Sequence, residues 1–363
     1  MKLELDISPL KTWLPNYTGP LIIAGPCGAE SREQIMNTAR EIAKLNKVVV
    51  FRAGIWKPRT RPNAFEGVGS VGLEWLKEVK QETGLLTTVE VANAQHVELA
   101  LKADVDILWI GARTTVSPFA VQEIASALAG VDIPVMVKNP IHPEIKLWAG
   151  ALERINQAGI KKLVAVHRGF YSYEKTIYRN SPAWNIPIEL KIMCKELPVI
   201  CDPSHICGRT DMLLPVMQKA LDLNMDGLML ETHINPKVAL SDAEQQVNPE
   251  QLGHLLNELI QRNANSNNPE FENQLQELRI EIDAIDIQLL QALSNRMAVV
   301  EKIGEYKKDN QVTILQLGRW YEILNTRTHK GEIMGLNTDF IKGLLELVHK
   351  ESIRVQTKVM NKI

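Results

Sequence analysis

The sequence is short of several things, and each shortage removes a class of protein. Cysteine occurs only at Cys27, Cys194, Cys201 and Cys207, with no Cys-x-x-Cys pair. Neither a dense disulfide framework nor a paired zinc site is therefore expected, and Cys194 and Cys207 read as small buried apolar side chains. No apolar stretch reaches the roughly 18 residues of a membrane span, and none follows a basic start. A net charge of -2 lacks the basic excess of a nucleic-acid or membrane-surface binder. The expectation is a cytoplasmic protein with no nucleic-acid or membrane partner. What is plentiful is apolar content, at 45% of 363 residues. That length is large for one domain and natural for a barrel plus something smaller.

Eight short apolar runs punctuate the first part of the chain, at 21–24, 48–51, 85–91, 107–110, 135–137, 163–166, 199–201 and 228–230. Amphipathic stretches lie between them at 32–45, 71–82, 94–102, 118–128, 143–157 and 211–223. Eight strand-helix alternations over about 250 residues predict an α/β fold, the (β/α)8 TIM barrel. A doubly wound open sheet is the alternative, but no GxGxxG follows the first run. Composition changes after Ile260. Residues 261–270, QRNANSNNPE, read as a polar linker. The expected division is a barrel over 1–260, the linker, and an all-helical domain over 271–363. In that tail Leu275, Leu278, Ile282, Ile285 and Leu289 recur at helical spacing, followed by Met297, Val300 and Ile303. One helix of about 35 residues predicts a partner helix, hence a homodimer through the tail. Two further helices are expected near 317–328 and 338–357.

Chemistry concentrates where the runs end. In a (β/α)8 barrel the carboxyl ends of the strands face the active site. Those ends carry Arg52, then Lys57 and Arg59, and further on Arg113, Lys138 and Arg168. Six cations at one mouth would repel one another without an anion to neutralise them. They fit two phosphate groups and a carboxylate, with the guanidiniums suited to bidentate contacts. Other strand ends carry Cys27, Asp202 with His205, Glu231 and Asp242. Cys27, His205, Glu231 and Asp242 make a mixed sulfur, nitrogen and oxygen set for one divalent ion. That set suits Mn, Fe, Co or Zn better than Mg or Ca.

The motifs GPC at 25–27, KPRT at 57–60, GAR at 111–113, HRG at 167–169 and DPSH at 202–205 together resemble the 3-deoxy-D-arabino-heptulosonate 7-phosphate (DAHP) synthases. The resemblance covers roughly residues 20–260 and is strongest to the microbial subgroup related to 3-deoxy-octulosonate 8-phosphate synthase. KPRT discriminates the two, because the octulosonate enzymes generally carry an asparagine-containing sequence there. The resemblance implies that Cys27, His205, Glu231 and Asp242 are metal ligands. It implies that Arg52, Lys57, Arg113, Lys138 and Arg168 hold phosphoenolpyruvate, and that Arg59 and Thr60 receive erythrose 4-phosphate with Asp202 beside its aldehyde. The Lys138-Asn139-Pro140 turn departs from the more glycine-like turn of many relatives.

The tail resembles the all-helical chorismate mutases through Leu278-Arg279, Arg296, Lys307, Arg319, Ser352 and Gln356. On a helix Arg296 and Lys307 share one face about 16 Å apart, and Arg279 lies roughly 100° away. The resemblance implies that Arg296, Lys307, Arg319, Ser352 and Gln356 bind chorismate and that Arg279 enters a neighbouring subunit's pocket. Trp320 stands where known members have Glu, and Gln316 where Asp is common. Those two positions favour the rival of a tail that only senses a ligand or dimerises. The other rival is an octulosonate-type synthase with a five-carbon acceptor. Residues 1–20 are short for a separate regulatory domain, so the expected inhibitor is prephenate, acting through the tail.

Overall fold

The computed structural model describes residues 2–14, 18–58, 64–174, 176–263 and 265–361. The chain divides into two compact units, Met1–Ala264 and Asn265–Ile363. The first is a closed barrel of eight parallel strands in sequential order, with no member out of place. The strands are β1 (Leu21–Gly25), β2 (Val50–Arg52), β3 (Leu86–Val91), β4 (Ile107–Ile110), β5 (Val135–Lys138), β6 (Leu163–His167), β7 (Val199–Cys201) and β8 (Gly227–Glu231). Closure is the β1–β8 pairing, from Leu21 opposite Gly227 to Gly25 opposite Glu231. Gly227 is required there, because a Cβ would lie 2.2 Å from the Leu21 carbonyl oxygen.

Parallel strands covered on both faces read as continuous apolar runs, and here the two faces serve two cores. Leu21, Ile23, Val50, Ile107, Trp109, Met136, Val164, Val166, Ile200 and Met229 fill the barrel interior. Leu10 and Leu14, from the segment before β1, join that interior cluster. The alternate residues, such as Ile22, Ala24, Leu108 and Val137, face the surrounding helices. Fully burying one such aliphatic side chain stabilises the fold by about 1.5–3 kcal/mol.

The barrel helices are α1 (Arg32–Ala43), α2 (Val71–Thr83), α3 (Ala94–Lys102), α4 (Ala112–Thr115), α5 (Pro118–Ala127), α6 (Ile145–Gln157), α7 (Asn185–Met193), α8 (Pro203–Cys207), α9 (Leu213–Asp222) and α10 (Pro249–Glu258). Their starts carry local signals. Ser31, Asn93 and Ser117 accept from backbone N–H groups of the first turns of α1, α3 and α5. Asn248 and Gln251 form a reciprocal capping box on α10.

The second unit has three helices, α11 (Pro269–Asp309), α12 (Leu317–Ile333) and α13 (Thr338–Met360). At 41 residues, α11 is longer than the expected 35. Asn268 caps it and Pro269 occupies its first turn, so the helix consumes the end of the polar stretch. Only its far half is packed inside this unit, where a Cβ on Gly304 would stand 3.3–3.4 Å from Val359 and Gln356 of α13. Leu278, Ile282, Ile285 and Leu289 lie more than half exposed along one stripe. No helix among the described residues is long and apolar enough to cross a membrane.

Candidate active sites

The carboxyl ends of the strands converge on one pocket. Arg52, Lys57, Arg113, Lys138 and Arg168 all line it, with Cys27, His205, Glu231 and Asp242. Arg59 and Thr60 lie outside the described residues. Gly25 lets β1 turn into the pocket at a positive φ of 148°, where a Cβ would strike the Arg52 carbonyl at 2.1 Å.

Trp109 forms the floor. Arg52 sits 5.1 Å above its ring centroid and Lys138 5.8 Å from it, within cation–π range. The Trp109 indole N–H donates to Glu90 at 3.1 Å. Both cations are nearly inaccessible to solvent, and each has an anionic partner. Arg52 Nη2 lies 3.1 Å from Glu231 Oε1, and Lys138 Nζ lies 2.7 Å from Asp202 Oδ2. Burial opposes the Asp202 charge, but His205, Lys138 and Arg52 outweigh it and hold its carboxyl well below the usual range. Arg168 is drawn down to about 10 by burial. Its guanidinium donates to Asn180 Oδ1 at 2.8 Å. Asn139, from the unusual turn after Lys138, accepts from the Arg168 backbone N–H at 2.7 Å and donates to the Gly169 carbonyl at 2.8 Å. That turn therefore fastens the ends of β5 and β6 together.

The DPSH stretch after β7 is a one-turn helix rather than a plain turn. Asp202 caps α8, accepting from the His205 backbone N–H at 3.1 Å, and Pro203 fixes the first position. The cap aims the His205 ring inward, with Nε2 3.7 Å from Glu231 Oε1. Its Nδ1 lies 2.8 Å from Asp202 Oδ2 without being directed along a hydrogen bond. Burial lowers the His205 pKa, against the opposing pull of Asp202 and Glu231.

The four sulfur, nitrogen and oxygen donors stand as two pairs. Cys27 Sγ is 3.1 Å from Asp242 Oδ2, and His205 faces Glu231. Among the described residues no three His, Cys, Asp or Glu side chains stand at ion-holding spacing. Each donor other than His205 already has a cation of the chain as a partner. Lys57 Nζ donates to Cys27 Sγ at 2.8 Å, Arg52 meets Glu231, and Arg179 meets Asp242 at 2.8 Å. Burial, with Glu231 second, pushes the Cys27 thiol up to about 12. Two observations fit a divalent ion. The donor set is soft and hard at once, and Glu231 Oε1 is buried without a hydrogen-bond partner.

In the helical unit Arg296 of α11 donates to Ser352 Oγ of α13 at 2.6 Å. Gln356, one turn on, is buried with its Oε1 unpaired. Lys307 donates to the Ile314 carbonyl at 2.5 Å. Arg319 pairs at the surface with Glu322 at 2.6 Å. Arg279 lies exposed on α11, 17 residues or about 25 Å along the axis from Arg296. A single tail thus brings Arg296, Ser352 and Gln356 together and leaves Arg279 apart. Trp320 stacks on His349 with centroids 3.9 Å apart, and Gln316 precedes α12 without a capping bond.

Several residues around the barrel pocket carry no sequence signal. Arg179 and Asn180 reach in from the long connection between β6 and α7, and Gln245 follows β8 by fourteen positions. Trp109 falls in the apolar run 107–110, which does not mark it as a pocket residue.

A (β/α)8 barrel with a buried cationic pocket and a thiol, imidazole and carboxylate rim has the architecture of an enzyme that handles small anionic molecules. The DAHP synthetase I family model matches residues 17–266, and the chorismate mutase type II model matches residues 278–357. The chain is 32% identical over 255 residues to phospho-2-dehydro-3-deoxyheptonate aldolase of Thermotoga maritima, covering 70% of this chain and 72% of that protein. It is 27% identical over 265 residues to 2-dehydro-3-deoxyphosphooctonate aldolase of Wolinella succinogenes, covering 66% and 98%. The crystal structure of the Thermotoga maritima DAHP synthase superposes with a TM-score of 0.61 at 29% identity, over 70% of this chain and 75% of that one. The chain belongs to the DAHP synthetase I family and carries a C-terminal chorismate mutase type II domain.

Proposed function

We propose that the barrel condenses phosphoenolpyruvate with erythrose 4-phosphate and water to give DAHP and phosphate, and that the helical unit rearranges chorismate to prephenate. The observation that carries the first reaction is the row of buried cations over Trp109 beside a mixed donor rim. Arg52, Lys57, Arg113, Lys138 and Arg168 would neutralise the phosphate and carboxylate of phosphoenolpyruvate. Arg59 and Thr60 would take the acceptor phosphate. The enol carbon attacks the aldehyde, water adds to the cation left behind, and phosphate departs. Asp202, held ionised by the charges around it, would orient Lys138 and His205 towards the reacting carbons. Cys27, His205, Glu231 and Asp242 would hold one divalent Mn, Fe, Co or Zn ion. Its chemistry when bound is Lewis-acid polarisation of the aldehyde.

The mutase step needs no nucleophile. Arg296, Lys307, Arg319, Ser352 and Gln356 would hold the diaxial conformer and face the developing charge. The apolar stripe of α11 supports a homodimer, in which Arg279 would complete the neighbour's pocket. Prephenate bound in the tail would inhibit the synthase, which requires different affinities for two arrangements of the chain. Phosphorylated central metabolites as substrates make the cytoplasm the proposed location.

The Trp320–His349 stack favours a second reading of the tail, as a ligand-sensing and dimerising module. Assay of both activities on the purified chain, with metal analysis and a five-carbon sugar phosphate as competing acceptor, separates the readings. Turnover of chorismate retires the module. Preference for the five-carbon acceptor would overturn the synthase assignment in favour of the octulosonate reaction.

A further inference from the structure

Both carboxylates of the donor rim are held from behind by one continuous set of hydrogen bonds. Gln245 Nε2 donates to Glu231 Oε2 at 2.6 Å. The other end of the same amide, Oε1, accepts from Arg179 Nη1 at 2.6 Å. Arg179 Nη1 also donates to Asp242 Oδ1 at 2.8 Å. Each carboxylate thereby commits its outer oxygen. The inner oxygens face the pocket. Glu231 Oε1 accepts no hydrogen bond but lies 3.1 Å from Arg52 Nη2, and Asp242 Oδ2 accepts from Cys27 Sγ and Ser241 Oγ, both at 3.1 Å.

We propose that Arg179 and Gln245 are positioning residues that present one oxygen each of Glu231 and Asp242 to the divalent ion of the barrel site. The inference rests on the reading that such an ion binds there. Gln245 is buried, and its amide can satisfy both neighbours in only one orientation, nitrogen to Glu231 and oxygen to Arg179. Arg179 supplies one positive charge to a group of acidic donors that would otherwise repel one another before an ion enters. Partners of this kind orient ligands and raise affinity without touching the ion.

The base of the bracket is anchored to the loop that carries His205. The Asn180 backbone N–H donates to the Ile206 carbonyl at 3.1 Å, and Asn180 Nδ2 donates to the His205 carbonyl at 2.6 Å. Gly208 ends α8 at φ 69°, and a Cβ there would lie 2.6 Å from Arg179 Cβ. The absence of that Cβ lets the strap lie flat on the loop. Three of the four donors are therefore tied into one frame, His205 through Asn180, and Glu231 and Asp242 through Gln245 and Arg179.

The test is a Co²⁺ titration of the chelated, full-length protein, followed by the thiolate-to-cobalt absorption band. Wild type is compared with Gln245→Met and Arg179→Met. Both variants should bind Co²⁺ about 10–100-fold more weakly, with the band unchanged at saturation because the ligand set is intact. The Arg179 side chain is 49% exposed, so its variant remains decisive if the buried Gln245 variant does not fold. Gln245→Glu, which keeps the bond to Arg179 but sets a carboxylate against Glu231, should bind more weakly than wild type too. Affinity within twofold of wild type in Arg179→Met would overturn the bracket alone. A band lost at saturation would also overturn it, because the residues would then decide which ligands bind rather than how they are held. A wild type that binds no Co²⁺ would overturn the ion reading and the bracket with it.

Discussion

His167 closes β6 with no solvent exposure, its ring 5.3 Å from Trp184 and 5.7 Å from Phe170 between centroids. Burial holds its pKa down to about 3, only partly offset by the Pro182 backbone, against 6.5 in an unfolded chain. The imidazole is thus neutral in the fold. As pH falls below 6.5 the unfolded chain takes up the proton first. Stability from this residue is complete above pH 6.5 and drains away down to pH 3. Each pH unit in that window is worth about 1.4 kcal/mol, so two units, from 6.5 to 4.5, remove roughly 2.7 kcal/mol. Domain stabilities of about 5–15 kcal/mol make such a loss easy to read. His167→Asn has no proton to gain. It should lose stability at neutral pH through poorer packing, then close the gap to wild type by roughly 2.7 kcal/mol between pH 7.5 and 4.5. Urea unfolding followed by tryptophan fluorescence reports mainly the barrel, which holds six of the seven tryptophans. Carboxylates that titrate in the same range contribute equally to both proteins and cancel. A gap that stays constant across pH would refute a neutral buried His167.

Cys27→Ala removes the sole sulfur donor of the rim. Synthase activity should be sensitive to EDTA and nearly lost in this variant, with chorismate turnover little changed; wild-type synthase turnover surviving full chelation would remove the metal from the mechanism. Arg296→Ala deletes the cation bonded to Ser352 and should lower chorismate turnover on the order of 100-fold or more, which a direct chorismate-disappearance assay measures. Mixed Arg279→Ala and Arg296→Ala chains should recover activity if the pocket is shared between subunits, and no recovery after proven subunit exchange counts against sharing. A chain ended near Asn265 should keep synthase activity and lose prephenate inhibition, whereas undiminished inhibition would place the effector site in the barrel.

The barrel was legible because both faces of its strands are buried, so β1 to β8 stand out as apolar runs. Shifts were small and local: β2 begins at Val50 rather than Val48 because Val48 and Val49 precede the first pairing with β1. Four helices escaped, among them α4, only four residues long. The α7 segment NIPIELKIM contains a proline, which argues against a helix unless it falls in the first turn, as Pro187 does. The α8 turn is five residues long, too short for any periodicity. The α10 segment follows a strand already counted as the last, although its Asn248-Pro249 start is a capping signal. Strand-end positions exposed Arg52, Lys138 and Arg168 as pocket residues. The same logic missed Arg179, which arrives from a loop, and Gln245, which lies beyond β8. Nothing in local sequence encodes a contact made 66 residues away.

The barrel interior is filled from Leu10 and Leu14 up to Trp109, so the well above it opens at one end only. Arg52 and Lys138 lie at the bottom, 3% and 5% exposed. Arg179, half exposed, lies higher, beside Asp242. Whatever settles on the bottom cations would have to enter before anything held above it. The plug under the barrel is therefore expected to impose an order of arrival and departure, which product-inhibition patterns would check.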